Sequence, residues 1–435
     1  MLPFNSKEHF MIKFYFYLSF LIVFNSSLFA QGTAAPELKV KTAFSEIDTY
    51  LNENIEKGVI PGGVFLIAQK GKIKYFKSFG FENKLLDKRY KNDDIFRIAS
   101  MTKSVTIVGI LQLMEKGKLD LDDPLSKYIP SFKKTKVLES FNALDSSYTV
   151  VNQKKEITIR NLLTHTSGIY YGSFATDHFR AIYMKNGLMG FGLSSNDWTT
   201  EEMVNKIAEA PLAFQPGSAW TYGLNMEVLG RIIEIVSKTN LDTYFQKNIF
   251  DILGMTDTYF YLPKAKQKRL VSIHPSDTVQ KIIENPGLNY PFALGKNHFA
   301  GGGGLSSTTL DYAVLCMALA NNGSLNKKRI LKKKTVHLVN NVEFSELDKG
   351  NTGFMSNVDE MGFGLGYWVV KKENSNMSPF SEGSYGWGGV FNTKYYIDPK
   401  KEIVIVGMTQ MFAFDNDPFW QVLTKEMYKA IGVNQ

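Results

Sequence analysis

Two strand-turn-strand patterns, one near each end of the chain, constrain the fold more than anything between them. Near the amino end, Gly63-Val64-Phe65-Leu66-Ile67-Ala68 and Lys74-Tyr75-Phe76-Lys77 flank Lys70-Gly71-Lys72. Near the carboxyl end, Tyr395-Tyr396-Ile397 and Glu402 to Met408 flank the turn Asp398-Pro399-Lys400-Lys401. Runs rich in β-branched and aromatic residues, bounded by turn residues, read as β-hairpins. Between them, Glu201–Glu209, Met226–Ser237, Leu241–Ile249 and Thr309–Asn321 carry apolar residues at helical spacing. Strands at both ends with helices between suggest one sheet built from both termini. The expected class is α+β: an antiparallel sheet of N- and C-terminal strands flanked by helices, plus an all-helical lobe. The sheet-bearing lobe is expected over roughly 37–98 and 300–435, the helical lobe over roughly 100–299. No internal repeat is visible.

The amino terminus reads differently from the rest. Lys7 and Lys13 precede an apolar run from Phe14 to Phe24, and Asn25-Ser26-Ser27-Leu28-Phe29-Ala30 follows. This order of charge, apolar run and small residues is that of a secretory signal over residues 1–30, with translation from Met11 giving a tighter version. The run is short for a membrane-spanning helix, so no span is expected in the mature chain. The absence of cysteine there excludes a lipid anchor. The expectation is export, to the periplasm or the medium. Residues 31–36 read as a linker and Leu38–Gly58 as an amphipathic helix.

Several functional classes fall away. The net charge of +8 is spread along the sequence, without an arginine-rich block, so nucleic acid is not an expected partner. The six histidines show no paired ligand spacing, so neither a metal nor another cofactor is expected. The single cysteine, Cys316, excludes an internal disulfide and sits in an apolar helical pattern with Tyr312, Leu315 and Leu319. Gly301-Gly302-Gly303-Gly304 lacks the Gly-Lys-Ser/Thr of a phosphate loop, and close backbone approach at a cleft edge is the better reading. Lys133 to Glu156 is polar and reads as an irregular surface insertion. Tyr170 to Thr199 is aromatic and glycine-rich without clear periodicity, either a lid or a packed loop.

The chemistry concentrates at Arg97-Ile98-Ala99-Ser100-Met101-Thr102-Lys103-Ser104, which opens the apolar segment Val105–Met114. On a helix, residues three apart share a face, which puts Lys103 one turn above Ser100. A serine hydroxyl is a weak nucleophile until a neighbour takes its proton. A lysine can do so where burial disfavours its charged form. The helix start also favours developing negative charge. The same Ser-x-x-Lys spacing recurs at Ser131–Lys134, beside Pro130, and at Ser324–Lys327, after Asn321-Asn322-Gly323. Neither of those opens a buried helix. Tyr222, in Phe214-Gln215-Pro216-Gly217-Ser218-Ala219-Trp220-Thr221-Tyr222, precedes a helix from near Asn225 and could shuttle a proton beside a cationic amine. Gly386-Trp387-Gly388-Gly389-Val390 could bring a strand edge and its N–H groups to a developing oxyanion. His165, between two threonines at a turn, reads as hydrogen-bonded structure.

Taken together and in this order, Ser100–Lys103, Ile159–Gly168, Pro216-Gly217 through Tyr222, Val228–Glu234, Gly303-Gly304-Leu305 and Trp387-Gly388-Gly389 make the chain resemble the serine β-lactamase and penicillin-binding-protein superfamily. More narrowly it is similar to the class C β-lactamase-like esterases and D-amino-acid-directed peptidases, over roughly residues 40–430. The resemblance implies Ser100 as acylated nucleophile, Lys103 as its partner in deprotonation, and Tyr222 as base in acylation and acid toward the leaving group. It implies Trp387-Gly388-Gly389 as the third motif and the N–H groups of Ser100 and Val390 as the oxyanion hole. Two departures stand out. Leu224 occupies the position of the second motif's asparagine, with Asn225 one place late, and Trp387 stands where the family has lysine or histidine. Tryptophan cannot grip a carboxylate as a cation does, which favours a neutral or apolar acyl group. The implied substrate is a small-molecule ester, with a β-lactam or D-peptide as the alternative. A further alternative is a sensor that acylates without turnover.

Overall fold

The computed structural model describes residues 36–83, 87–189, 198–274, 298–344, 360–372, 379–412 and 417–432. The signal-like residues 1–30 and residues 190–197 of the aromatic stretch lie outside these. Pro36, expected in the linker, is instead the first residue of helix α1 (Pro36–Glu56). Proline suits a helix start, where its missing N–H costs nothing.

The two terminal hairpins meet. Strands β1 (Gly62–Gln69), β2 (Lys72–Asn83), β3 (Lys88–Arg89), β4 (Met361–Phe363), β5 (Trp368–Val370), β6 (Tyr385–Gly389), β7 (Thr393–Asp398) and β8 (Ile403–Met408) form one antiparallel sheet of eight strands. Its order is β4-β5-β6-β7-β8-β1-β2-β3. The join is the β1/β8 pair, in register from Val64 opposite Met408 to Gln69 opposite Ile403. Successive strand residues face opposite sides, and both faces here are covered. Val64, Leu66, Val404 and Val406 enter the large core, while Phe65, Ile67, Ile403 and Ile405 enter a second core. The second core is closed by α1 and the last helix, α5 (Asp417–Ala430), which pack on each other.

On the other face lie α2 (Thr102–Glu115) and α4 (Thr309–Ala320), with α3 (Asn225–Ser237) packed on α2. Residues 102–113 of α2 are all buried. A helix apolar on all sides belongs in the middle of a core, and α2 runs between sheet and helical lobe. Among the described residues no helix is long and apolar enough to cross a membrane.

Two local expectations are corrected. Within 133–156, Lys136–Phe141 and Tyr148–Asn152 pair as an antiparallel hairpin, with Val137 opposite Val151. Both its faces are largely exposed, so the apolar alternation that reveals a half-buried strand is missing. Within 170–199, Asp177–Lys185 is an α-helix with Phe179, Ile182 and Tyr183 buried. Its apolar face spans too few turns to stand out from the aromatic residues around it.

Candidate active site

A turn of tight helix, Ala99–Met101, places Ser100 directly ahead of α2. The turn is held from several directions. The Ile98 N–H donates to the Leu305 carbonyl at 3.1 Å, and the Tyr312 hydroxyl donates to the Met101 carbonyl at 2.8 Å. The Leu305 N–H donates to Thr102 Oγ1 at 3.1 Å. Ala99 adopts a φ of 42°, in the left-handed region that only glycine occupies without cost. Such strain persists where surrounding structure over-determines it and clusters at functional sites.

Two side chains converge on the Ser100 oxygen, and a third supports one of them. Tyr222 Oη donates to Ser100 Oγ at 2.8 Å, and Lys103 Nζ donates to the same oxygen at 3.2 Å. The indole N–H of Trp387 donates to Tyr222 Oη at 3.4 Å. Lys103 is 1% exposed and Tyr222 6%, so the base side of the site is dry, whereas Ser100 and Trp387 through Val390 stay partly exposed. The amine is walled by aromatic faces, 4.9 Å from the centre of the Tyr222 ring and 5.5 Å from that of Tyr171. It also donates to the Gly302 carbonyl, at 2.6 Å.

The segment Trp387-Gly388-Gly389 lies on strand β6, which packs against the turn Ala99–Met101. Its glycines have a physical reason. A Cβ at Gly389 would lie 2.5 Å from the Ile98 carbonyl, so any side chain there pushes the strand edge off the nucleophile turn. Val390 follows in the turn closed by the Asn392 N–H donating to the Gly389 carbonyl at 3.0 Å. Trp387 stacks into an aromatic wall, its ring centre 5.4 Å from Tyr222 and 5.6 Å from Phe363.

His165 is placed as structure, not as a base. It is fully enclosed, and burial, helped by Lys103, holds its ring well below the usual histidine range and therefore neutral. Its Nδ1 accepts from Asn225 Nδ2 at 2.7 Å and from the Gly223 N–H at 3.3 Å. These bonds grip the chain immediately after Tyr222. Asn225 is thereby turned inward to His165 and Ser167, and it does not replace the asparagine missing at Leu224. Gly301, Gly302 and Gly304 lie in close approach, as read from the sequence, with a Cβ on each falling 2.6 Å from the Met226 carbonyl, 2.5 Å from Glu227 Oε1 and 2.9 Å from the Phe260 ring. The Gly301 carbonyl accepts from Thr106 Oγ1 at 2.7 Å, beside the Lys103 contact. Cys316 is a free, buried thiol pushed well above its usual range by burial.

One buried group at the site escaped sequence reasoning. Glu227, in the first turn of α3, accepts the Gly302 N–H at 2.9 Å. Its only sequence signal was an acid among apolar neighbours, Met226, Val228 and Leu229.

Comparison with known proteins agrees with this geometry. Residues 47–420 match the Beta-lactamase family. The lovastatin esterase of Penicillium rubens is 30% identical over 392 residues, covering 84% of this chain and 92% of the relative. The monacolin J acid methylbutanoyltransferase of Aspergillus terreus is 28% identical over 424 residues, covering 92% and 97%. Among solved structures, unliganded simvastatin synthase from Aspergillus terreus superposes with a TM-score of 0.72 at 26% identity, over 89% of this chain and 98% of that one. With a family match over most of its length, and esterases and acyltransferases as its relatives, the chain belongs to the beta-lactamase family, as a serine hydrolase of the class C-like esterase group.

Proposed function

We propose that the protein is an exported esterase that works through an acyl-enzyme on Ser100. The observation that carries this reading is the convergence of Tyr222 Oη and Lys103 Nζ on Ser100 Oγ, at 2.8 and 3.2 Å. As Ser100 Oγ bonds to the ester carbonyl carbon, its proton passes to the Lys103/Tyr222 pair. The N–H groups of Ser100 and Val390 take the carbonyl oxygen as it gains charge. Collapse of the tetrahedral intermediate breaks the bond to the alcohol oxygen, which receives its proton from Tyr222. Water, activated by the same pair, then releases the acid and restores Ser100.

The acyl side is apolar by construction. Trp387, partly exposed, packs its ring against Tyr222 and the buried Phe363, and the third motif offers an indole in place of a cation. A carboxylate-bearing β-lactam or D-peptide would go ungripped there, so a neutral ester fits better. A second alcohol could replace water in the last step, and relatives named as acyltransferases support that variant. Export rests on the signal-like residues 1–30.

The test is a panel of short-chain activated esters, a cephalosporin and a D-Ala-containing peptide against the mature protein and its Ser100→Ala variant. Ester turnover that vanishes in the variant is expected. Turnover surviving in Ser100→Ala, or a stable stoichiometric adduct without turnover, would overturn the reading.

A further inference from the structure

Glu227 is a buried carboxyl beside the proposed chemistry, and none of the steps above uses it. It is 1% exposed. Its Oε1 takes the Gly302 N–H at 2.9 Å, with the Gly301 backbone N–H as a second donor. Its Oε2 has no partner among the described residues. The same Gly302 turns its carbonyl to Lys103 Nζ at 2.6 Å. One glycine is thus held by an acid through its N–H and by an amine through its carbonyl. A Cβ on Gly302 would lie 2.5 Å from Glu227 Oε1 and 3.4 Å from Lys103 Nζ, so a side chain there would displace the carboxyl.

We propose that Glu227 is a positioning residue that acts on the Ser100 chemistry through Lys103, anchoring the backbone that orients the amine and supplying the counter-charge for the ammonium formed when the serine proton arrives. This rests on the acyl-enzyme reading above. A buried ammonium without a counter-charge is costly, and the other charged groups near Glu227 among the described residues are engaged elsewhere. Arg231 and Glu234, on the same helix, pair with each other, and Arg231 also pairs with Glu201. His165, from the turn after the short helix Ile159–Leu163, is neutral. Tyr171 and Tyr222 present ring faces to the amine. Lys103 is therefore the charge that Glu227 faces. Burial pushes the Glu227 carboxyl up to about 8, while Lys103 and the two glycine N–H groups pull it back. The charge of the carboxyl is thus set by its burial and by the amine and N–H groups it faces. Glu227 keeps its own proton inventory; the serine proton goes to the Lys103/Tyr222 pair and from there to the leaving alcohol.

The experiment measures kcat/KM for a short-chain activated ester against pH, in the wild-type protein, Glu227→Gln and Glu227→Asp. The glutamine variant retains an acceptor for the Gly302 N–H and loses only the charge. Above about pH 8, where the Glu227 carboxyl carries its charge, losing that charge should move the part of the kcat/KM rise that lies there toward acid by about half a pH unit or more. Glu227→Asp should restore its position whatever the loss in rate. A glutamine profile within about 0.2 units of wild type, or an aspartate profile displaced as far as the glutamine one, would overturn the proposal. If Glu227→Gln fails to fold, infrared titration of the wild type decides. A buried protonated carboxyl should lose its carbonyl band as pH rises through about 8, and the absence of any such band overturns it. Ser100→Ala keeps the two questions apart. Activity in that variant sinks the acyl-enzyme reading, whereas a Ser100-dependent enzyme with an unmoved glutamine profile sinks only the role of Glu227.

Discussion

Three serines in this chain are followed at the same spacing by lysine, and only one of them has company. Ser131 lies in the exposed turn Pro130–Lys134, its hydroxyl donates to Asn205 Oδ1 at 3.0 Å, and Lys134 points to solvent. Ser324 opens a tight hairpin in which Asn326 and Lys327 take φ values of 49° and 65°, and Lys327 is exposed. Ser100 has Lys103 on a helix buried on every side, with a phenol and a strand edge brought in from distant parts of the chain. The spacing is identical, so the spacing is not what makes a nucleophile. Surroundings make the difference: Lys134 and Lys327 face solvent, whereas the Lys103 amine is enclosed by two aromatic rings, a carbonyl and the Ser100 oxygen.

The largest test of that contrast is removal of each hydroxyl in turn. Ser100→Ala should cost roughly 10⁴-fold or more in kcat/KM for an activated ester, while Ser131→Ala and Ser324→Ala stay within about twofold of wild type, as changes at solvated turns do. Comparable losses at either of the other serines would erase the distinction. Next in size, Tyr222→Phe and Lys103→Met should each lower kcat by roughly 10²- to 10⁴-fold, the usual reach of a positioned acid or base. Lys134→Met and Lys327→Met serve as their silent counterparts, and circular dichroism confirms that all four fold.

A third variant separates the approach of the strand edge from the chemistry. Gly389→Val places atoms 2.5 Å from the Ile98 carbonyl and 2.4 Å from Thr393 Oγ1. Overpacking of this kind costs about 1–3 kcal/mol, read as a lower denaturation midpoint together with a loss of ester turnover. Unchanged activity would mean that the third motif need not touch the nucleophile turn.

The smallest expected effect is on stability against pH, and its sign follows from two buried groups at the site. Glu227 has an ordinary value of 4.5 and is raised to about 8 in the folded protein. The folded chain holds that proton more tightly than the unfolded one, so this contribution is complete below 4.5 and is lost as pH rises through about 8. His165 is depressed well below 6.5, so its folded form refuses a proton that the unfolded chain accepts, and stability falls as pH drops below 6.5. The thermal midpoint should therefore decline on both sides, and Glu227→Gln should flatten the alkaline decline alone. An alkaline decline as steep in Glu227→Gln as in wild type would assign it to other groups.

Much of the fold was legible because its strands are buried on both faces or alternate cleanly, as in Val64 to Ala68 and Ile403 to Met408. The hairpin at 136–152 was not, because a strand wet on both sides leaves no apolar trace. Ser100, Lys103, Tyr222 and the glycines of the third motif were legible as a set. Glu227 was not, since a single acid in an apolar helix carries no spacing to match.

Local sequence by itself determined the terminal hairpins, the apolar helix behind Ser100 and the one-turn offset of Lys103, because these are set by period and by neighbours a few residues away. Tertiary structure alone decided which Ser-x-x-Lys became a site. Tyr222 is 122 residues from Ser100, and Gly302 is 199 from Lys103. Dry surroundings are made by the path of the whole chain, so the desolvation on which this chemistry depends has no local signature.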